Sequence, residues 1–221
     1  MKMNTWVIKL SVLINILAVI SIFYLLIHYE IPRRITEYFF NVPHINCINN
    51  TKIVVLGDSR INVNWNKLMD RNDIVSIRGG QIEDLLERVD FAHELNPELC
   101  LIMIGINDMF WIKTPEETFE DYKILIDKML QKKLKIVIQS LIYVAPVKLF
   151  YREQNKDVDA LNSMLKQYSK EKDILFLDIN TKLSESGHLI MDYSSDGVHI
   201  SDKGYQVWKN QLIPLFETMN L

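Results

Sequence analysis

The sequence predicts a three-layer α/β/α sandwich on a five-stranded parallel sheet, preceded by one membrane-crossing helix. Three observations predict it. Five apolar runs of strand length alternate with amphipathic stretches of helical length, the runs are nearly continuous in apolar residues, and one long uncharged segment stands near the N-terminus. Strands apolar on both faces need helices over both, and alternating strands and helices give the parallel arrangement. With 221 residues, 48% hydrophobic and 24% charged, the chain has enough apolar material for one well-cored domain and an additional segment.

That segment comes first. From Leu10 to Ile27 there are 18 residues without a charge, and Trp6 to Ile8 extend the run if Lys9 reaches back to the headgroups. At about 1.5 Å per residue the run spans roughly 27 Å, the thickness of a bilayer core. It is long for a signal-peptide core and no small-x-small cleavage site follows it, so residues 1–30 are expected to be an uncleaved anchor. Lys2, Lys9 and the terminal amine favour a cytoplasmic N-terminus, against Arg33 and Arg34, and the body is expected outside the cytoplasm. Residues 31–51, with Pro32, Pro43 and four asparagines, read as a linker, leaving 52–221 as the domain.

Within that domain the strands are expected at Lys52–Leu56, Ile74–Ile77, Leu99–Ile104, Leu134–Gln139 and Ile174–Leu177. The helices are expected at Gln81–Leu95, Pro115–Lys132, Asp157–Lys172 and Asp202–Met219. Thr114-Pro115-Glu116-Glu117 opens the second with a capping threonine, a proline at the first helical position and acids in the first turn.

Charge and cysteine usage remove several classes of function. The net charge is −3, and −6 once residues 1–34 are set aside, so the body would repel a nucleic-acid backbone. Cys47 and Cys100 are too few for a disulfide framework and lack histidine companions for zinc; Cys100, beside Leu101-Ile102-Met103-Ile104, reads as a buried small hydrophobe. His28, His44, His93 and His188 have no ligand partners at metal spacing, so no metal or other cofactor is expected.

In a sheet of this kind ligands gather beyond the carboxyl ends of the strands. The first predicted strand ends in Gly57-Asp58-Ser59-Arg60, where a glycine allows a sharp turn and a serine stands at the tip. The second ends in Ile77-Arg78-Gly79-Gly80 and the third in Gly105-Ile106-Asn107-Asp108, which offer an unhindered backbone N–H and a side-chain amide. Before the last helix stands Asp196-Gly197-Val198-His199, whose carboxylate can curl back to one ring nitrogen while the other faces outward. Each motif alone is ordinary turn composition. Their conjunction, in this order and at these ends, points to nucleophilic catalysis.

In these four blocks the chain resembles the SGNH/GDSL hydrolase family over roughly residues 52–218. The Ser block matches Gly57-Asp58-Ser59, with Arg60 where many members carry leucine; the Asn block matches Gly105-x-Asn107-Asp108; the His block matches Asp196-x-x-His199. The Gly block departs most, since members carry an asparagine and a Ser-Gly pair where this chain has Val75-Ser76-Ile77-Arg78-Gly79-Gly80. Register with Asp84-Leu85-Leu86 favours Gly79, and Gly80 stays open. The resemblance implies a flavodoxin-like sheet and an esterase in which Ser59 is the nucleophile, His199 its base and Asp196 the group that orients the imidazole. Ser59 and Gly79 N–H groups and the Asn107 amide would form the oxyanion hole, each donor worth about 3 to 4 kcal/mol of barrier. The substrate expected is an O-acyl ester, small or glycan-borne. An O-acyltransferase using the same residues, or an envelope interaction module without turnover, are the alternatives. Asp58 and Asp108 read as loop-shaping carboxylates. No Gly-x-Ser-x-Gly and no three-glycine dinucleotide fingerprint occur.

Overall fold

The computed structural model describes residues 50–111 and 113–221, which lie in one compact unit, His44–Leu221. The expected anchor, nearly all of the linker and Cys47 lie outside the described residues. Among the described residues, no helix is long and apolar enough to cross a membrane.

Five parallel strands form the sheet: β1 (Ile53–Gly57), β2 (Ile74–Arg78), β3 (Leu99–Met103), β4 (Ile136–Gln139) and β5 (Leu175–Leu177), in the order β2-β1-β3-β4-β5. This is the flavodoxin-like order, which leaves β1 between β2 and β3. Every residue of β1 and β3 is buried, and alternate residues feed opposite faces. Val54 and Leu56 pack toward α2 (Ile82–Glu94), α4 (Pro115–Gln131) and α5 (Tyr151–Glu171). Ile53 and Val55 pack toward α1 (Trp65–Met69), α6 (Asn180–Leu183) and α7 (Asp202–Met219), where Trp65, Tyr205 and Trp208 form an aromatic cluster. The predicted three layers are therefore present.

Boundaries moved where tertiary contacts outweigh local signals. The helix expected from Asp157 begins at Tyr151, behind an N-cap, Phe150, that has no capping side-chain bond. Its first turns are held instead by buried Asn155, whose amide exchanges bonds with the Val144 N–H and carbonyl and donates to the Gly187 carbonyl. The strand expected from Leu134 begins at Ile136, because the Leu134 N–H turns back to the Met129 carbonyl to close α4. The short helices α1, α3 (Ile106–Trp111) and α6, and the β6–β7 hairpin (Ser184–Glu185, His188–Leu189), carry too few residues to show a period.

Gly57 ends β1 where no side chain fits. A methyl there would stand 2.5 Å from the Met103 carbonyl oxygen and 2.7 Å from Ile61 Cγ2. Gly57→Ala is expected to lower stability by about 1 to 3 kcal/mol through forced displacement in the packed core. Urea unfolding of the two proteins measures this, and coincident midpoints would exclude the clash.

Candidate active site

The site is assembled over the end of β1. Ser59 begins a single 3₁₀ turn, Ser59–Ile61, capped by Asp58, whose Oδ1 accepts from the Arg60 N–H at 2.8 Å. Burial pushes the Asp58 carboxyl up, against the pull of the Arg60 charge and N–H and of His199. The Ser59 Oγ lies 3.1 Å from His199 Nε2, although the two residues are 140 positions apart.

The histidine comes from a turn that leads into α7. Gly197 adopts φ +95°, a left-handed conformation that suits glycine, and its N–H donates to Ser194 Oγ at 2.7 Å. Ser194 Oγ in turn donates to the His199 carbonyl at 2.8 Å. Asp196 Oδ1 accepts from the Val198 and His199 N–H groups, both at 2.8 Å, and Oδ2 lies 2.8 Å from His199 Nδ1. Burial works to raise the Asp196 carboxyl, but these N–H groups and the imidazole outweigh it and hold the group well below the usual carboxylate range. An ionised Asp196 only accepts, so Nδ1 carries the ring proton and Nε2 is left to accept from Ser59. The His199 and Asp196 side chains are 46% and 47% exposed, which places this line of three residues at the surface.

Asn107, from the end of β3, and Gly80, from the end of β2, meet across β1: the Asn107 amide donates to the Gly80 carbonyl at 2.7 Å. That amide has a second N–H. The Gly79 N–H donates to the Gly57 carbonyl at 2.9 Å, continuing the β1–β2 ladder, and the Gly80 N–H donates to Asp84 Oδ2 at 2.6 Å. Both glycine N–H groups thus hold internal partners, and a developing oxyanion would have to compete with Gly57 for Gly79. The irregular Gly block was the one sequence sign that this corner differs.

Asp108 is fully buried and accepts from the Ile82 N–H at 3.3 Å, with Lys113 Nζ 3.8 Å away. Burial pushes its carboxyl up to about 6, against the Ile82 N–H and Lys113. The folded state therefore holds this proton more tightly than the unfolded chain does. The contribution of Asp108 to stability is expected to be greatest below about pH 4 and to fall by about 3 kcal/mol as pH rises through about 6. Asp108→Asn removes that fall while keeping an acceptor for Ile82; parallel curves for parent and variant in urea titrations across this window would refute the assignment.

Cys100 is buried, with its thiol pushed up to about 12 by burial. Met109 and Phe110 are partly buried and pack against the core. Leu149 and Phe150 are 77% and 66% exposed on the segment after β4, and Val147 and Lys148 of that segment abut Gly197. An open depression of about 500 Å³ lined by Tyr151, Arg152, Lys156 and His188 contains none of the three aligned residues. Among the described residues, no group of three or more His, Cys, Asp or Glu side chains converges as metal ligands would. Arg60, which stands where many family members carry leucine, is buried in the Ser59–Ile61 turn, and no sequence signal announces its burial.

The flavodoxin-like sheet thus presents a serine, a histidine and an aspartate in one hydrogen-bonded line at the end of its first strand. The chain belongs to the GDSL-like Lipase/Acylhydrolase family, whose model matches residues 55–207. It is similar in structure to a GDSL-like lipase from Bacteroides thetaiotaomicron VPI-5482 (TM-score 0.66, 20% identity, covering 76% of this chain and 88% of that one). It is likewise similar to the lipase/acylhydrolase from Enterococcus faecalis (TM-score 0.63, 18% identity, 76% and 96% covered). An N-acylneuraminate cytidylyltransferase of Streptococcus agalactiae serotype V (strain ATCC BAA-611 / 2603 V/R) is 24% identical over 191 residues, which is 85% of this chain and 44% of that protein. The chain thus spans less than half the length of this curated relative.

Proposed function

We propose that this protein is a serine esterase that removes acetyl or other short acyl groups from O-acyl esters on carbohydrate or cell-envelope material, through an acyl-enzyme on Ser59. One observation carries the reading: Ser59, His199 and Asp196 stand in line at 3.1 and 2.8 Å. His199 Nε2 takes the Ser59 proton as Oγ attacks the ester carbonyl, and Asp196 holds the imidazole in the tautomer that leaves Nε2 free. The proton then passes to the departing alkoxide. Water, activated by the same nitrogen, attacks the acyl-enzyme and regenerates Ser59.

Negative charge on the carbonyl oxygen is met by the Ser59 N–H and the free N–H of Asn107. Gly79 joins them by releasing the Gly57 carbonyl. The half-exposed His199 and Asp196 side chains support an ester carried on a large body, which a deep tunnel would exclude. The relative's name, which refers to an N-acylneuraminate, supports a sugar carrier. The uncharged run Leu10–Ile27 supports a single-pass anchor, with residues 52–221 on the extracytoplasmic side.

The test uses the full chain in detergent, a fluorophosphonate probe, and acetyl and longer p-nitrophenyl esters, alone and with an added saccharide acceptor. Labelling of the parent that is absent in Ser59→Ala supports the esterase. Transfer of the acetyl group to the saccharide in preference to water would instead assign an O-acyltransferase. A parent that neither labels nor turns over would make the chain an interaction module.

A further inference from the structure

Arg60 follows the candidate nucleophile directly, yet its side chain turns inward and the residue is 1% exposed. Its carbonyl accepts from the Tyr205 hydroxyl of α7 at 2.9 Å, and its Nη1 donates to the Ile142 carbonyl. The Nε and Nη2 groups are buried with no hydrogen-bond partner among the described residues. A guanidinium with two unmatched donors is a poor stabiliser, because desolvation costs more than incomplete pairing returns. The sequence places it where an apolar residue would pack without that cost. Its role is therefore to be sought in what it touches.

Ile142 belongs to the segment after β4, which side chains fix on every side. Asn162 exchanges bonds with the Leu141 N–H and carbonyl at 2.7 and 2.9 Å, Asn180 accepts from the Tyr143 N–H at 3.2 Å, and Asn155 brackets Val144. The next residue, Ala145, donates its N–H to the Gly197 carbonyl at 2.8 Å, and Gly197 lies between Asp196 and His199. A continuous path of bonds thus runs from the serine turn through the Arg60 guanidinium and residues 142–145 to the acid–base turn. Burial lowers the guanidinium pKa, against the pull of Asp58 on its own turn, Asp196 on the histidine turn and the Tyr205 phenol of α7.

We propose that Arg60 is a positioning residue for the Ser59–His199 contact: through Ile142 it fixes the segment that holds the Asp196–His199 turn. The proposal rests on the acyl-enzyme reading of Ser59 and His199. A shift of about 1 Å between reacting groups costs on the order of 10²-fold in rate. Losing the tether is therefore expected to act on turnover and to leave the exposed substrate surface unchanged.

The test compares Arg60→Met, which keeps apolar bulk, with Arg60→Lys, which keeps the charge and one donor for the Ile142 carbonyl. The single Nη1 bond, rather than a bidentate fork, is what makes lysine a fair substitute here. Measured are kcat and KM for p-nitrophenyl acetate, the rate of fluorophosphonate labelling, and the thermal midpoint. Arg60→Met is expected to lose about 10²-fold in kcat and in labelling rate, with KM within about twofold, while Arg60→Lys regains most of both. Arg60→Met with kcat and labelling at the parent's level overturns the proposal, and so does Arg60→Lys no better than a folded Arg60→Met. Should Arg60→Met fail to fold, Arg60→Lys decides alone: near-parent kcat supports the proposal, and a loss of about 10²-fold overturns it. A parent that is itself unlabelled defeats the underlying esterase reading, whereas equal labelling of parent and Arg60→Met defeats only the role of Arg60.

Discussion

Ser59→Ala and His199→Ala are each expected to lower kcat by about 10⁶-fold, and the double variant no further. The two groups form one device: the hydroxyl attacks only as Nε2, 3.1 Å away, removes its proton. Deleting either half leaves the other without a task, so the losses do not add. Substrate binding is expected to survive, because a half-exposed imidazole supplies little of the contact area, and KM should stay within a few-fold as a roughly uniform binding term. Steady-state kinetics on acetyl and longer esters reads both numbers. A Ser59→Ala protein that retains turnover within about tenfold of the parent would remove Ser59 from the chemistry.

Asp196→Asn is expected to lower kcat by about 10⁴-fold with the fold intact. An asparagine Oδ1 can still accept from the Val198 and His199 N–H groups, which keeps the turn closed. Its NH₂ would then replace the carboxylate oxygen 2.8 Å from His199 Nδ1. A donor there forces the ring proton onto Nε2, which then faces the Ser59 oxygen and cannot accept its proton. The pKa of Asp196, held low in the folded protein, gives the accompanying stability change its sign: the carboxylate contributes above its unfolded value, and that contribution fades as pH falls. Thermal midpoints of parent and variant at neutral pH, measured with kcat, separate the tautomer effect from unfolding. A variant that unfolds, or one that keeps parent activity, would both contradict the account given for the turn.

The parts of this site that could be read in advance are those whose chemistry is local or whose period is strong. The Asp196–His199 pair sits within four residues, so a single turn closes it and its composition is visible in the chain. The ends of β1, β2 and β3 follow from apolar runs, and Ser59, Gly79 and Asn107 stand at those ends. The sheet order puts β2 and β3 on either side of β1, which is why an asparagine that follows one and a glycine that follows the other meet.

What could not be read is how each polar group would be partnered. The Gly79 N–H is claimed by the Gly57 carbonyl because β2 continues its ladder by one residue past Arg78, and no residue type announces that extension. The 140–145 segment lacks regular structure, and three asparagines from α5 and α6 hold it, each 11 to 39 positions away. Arg60 looks from its composition like a solvent-facing charge, yet the packing of Tyr205 and Ile142 around it turns it inward.

The sequence by itself determined the layering, the number of strands, and the residue types available for acyl chemistry, because periodicity and turn composition are properties of neighbouring residues. Only the tertiary structure decided that Ser59 and His199 touch, that the glycine N–H groups are already engaged, and that the Arg60 charge is buried. Those outcomes depend on which distant segments reach a given hydrogen-bonding group first, and that competition is settled by packing.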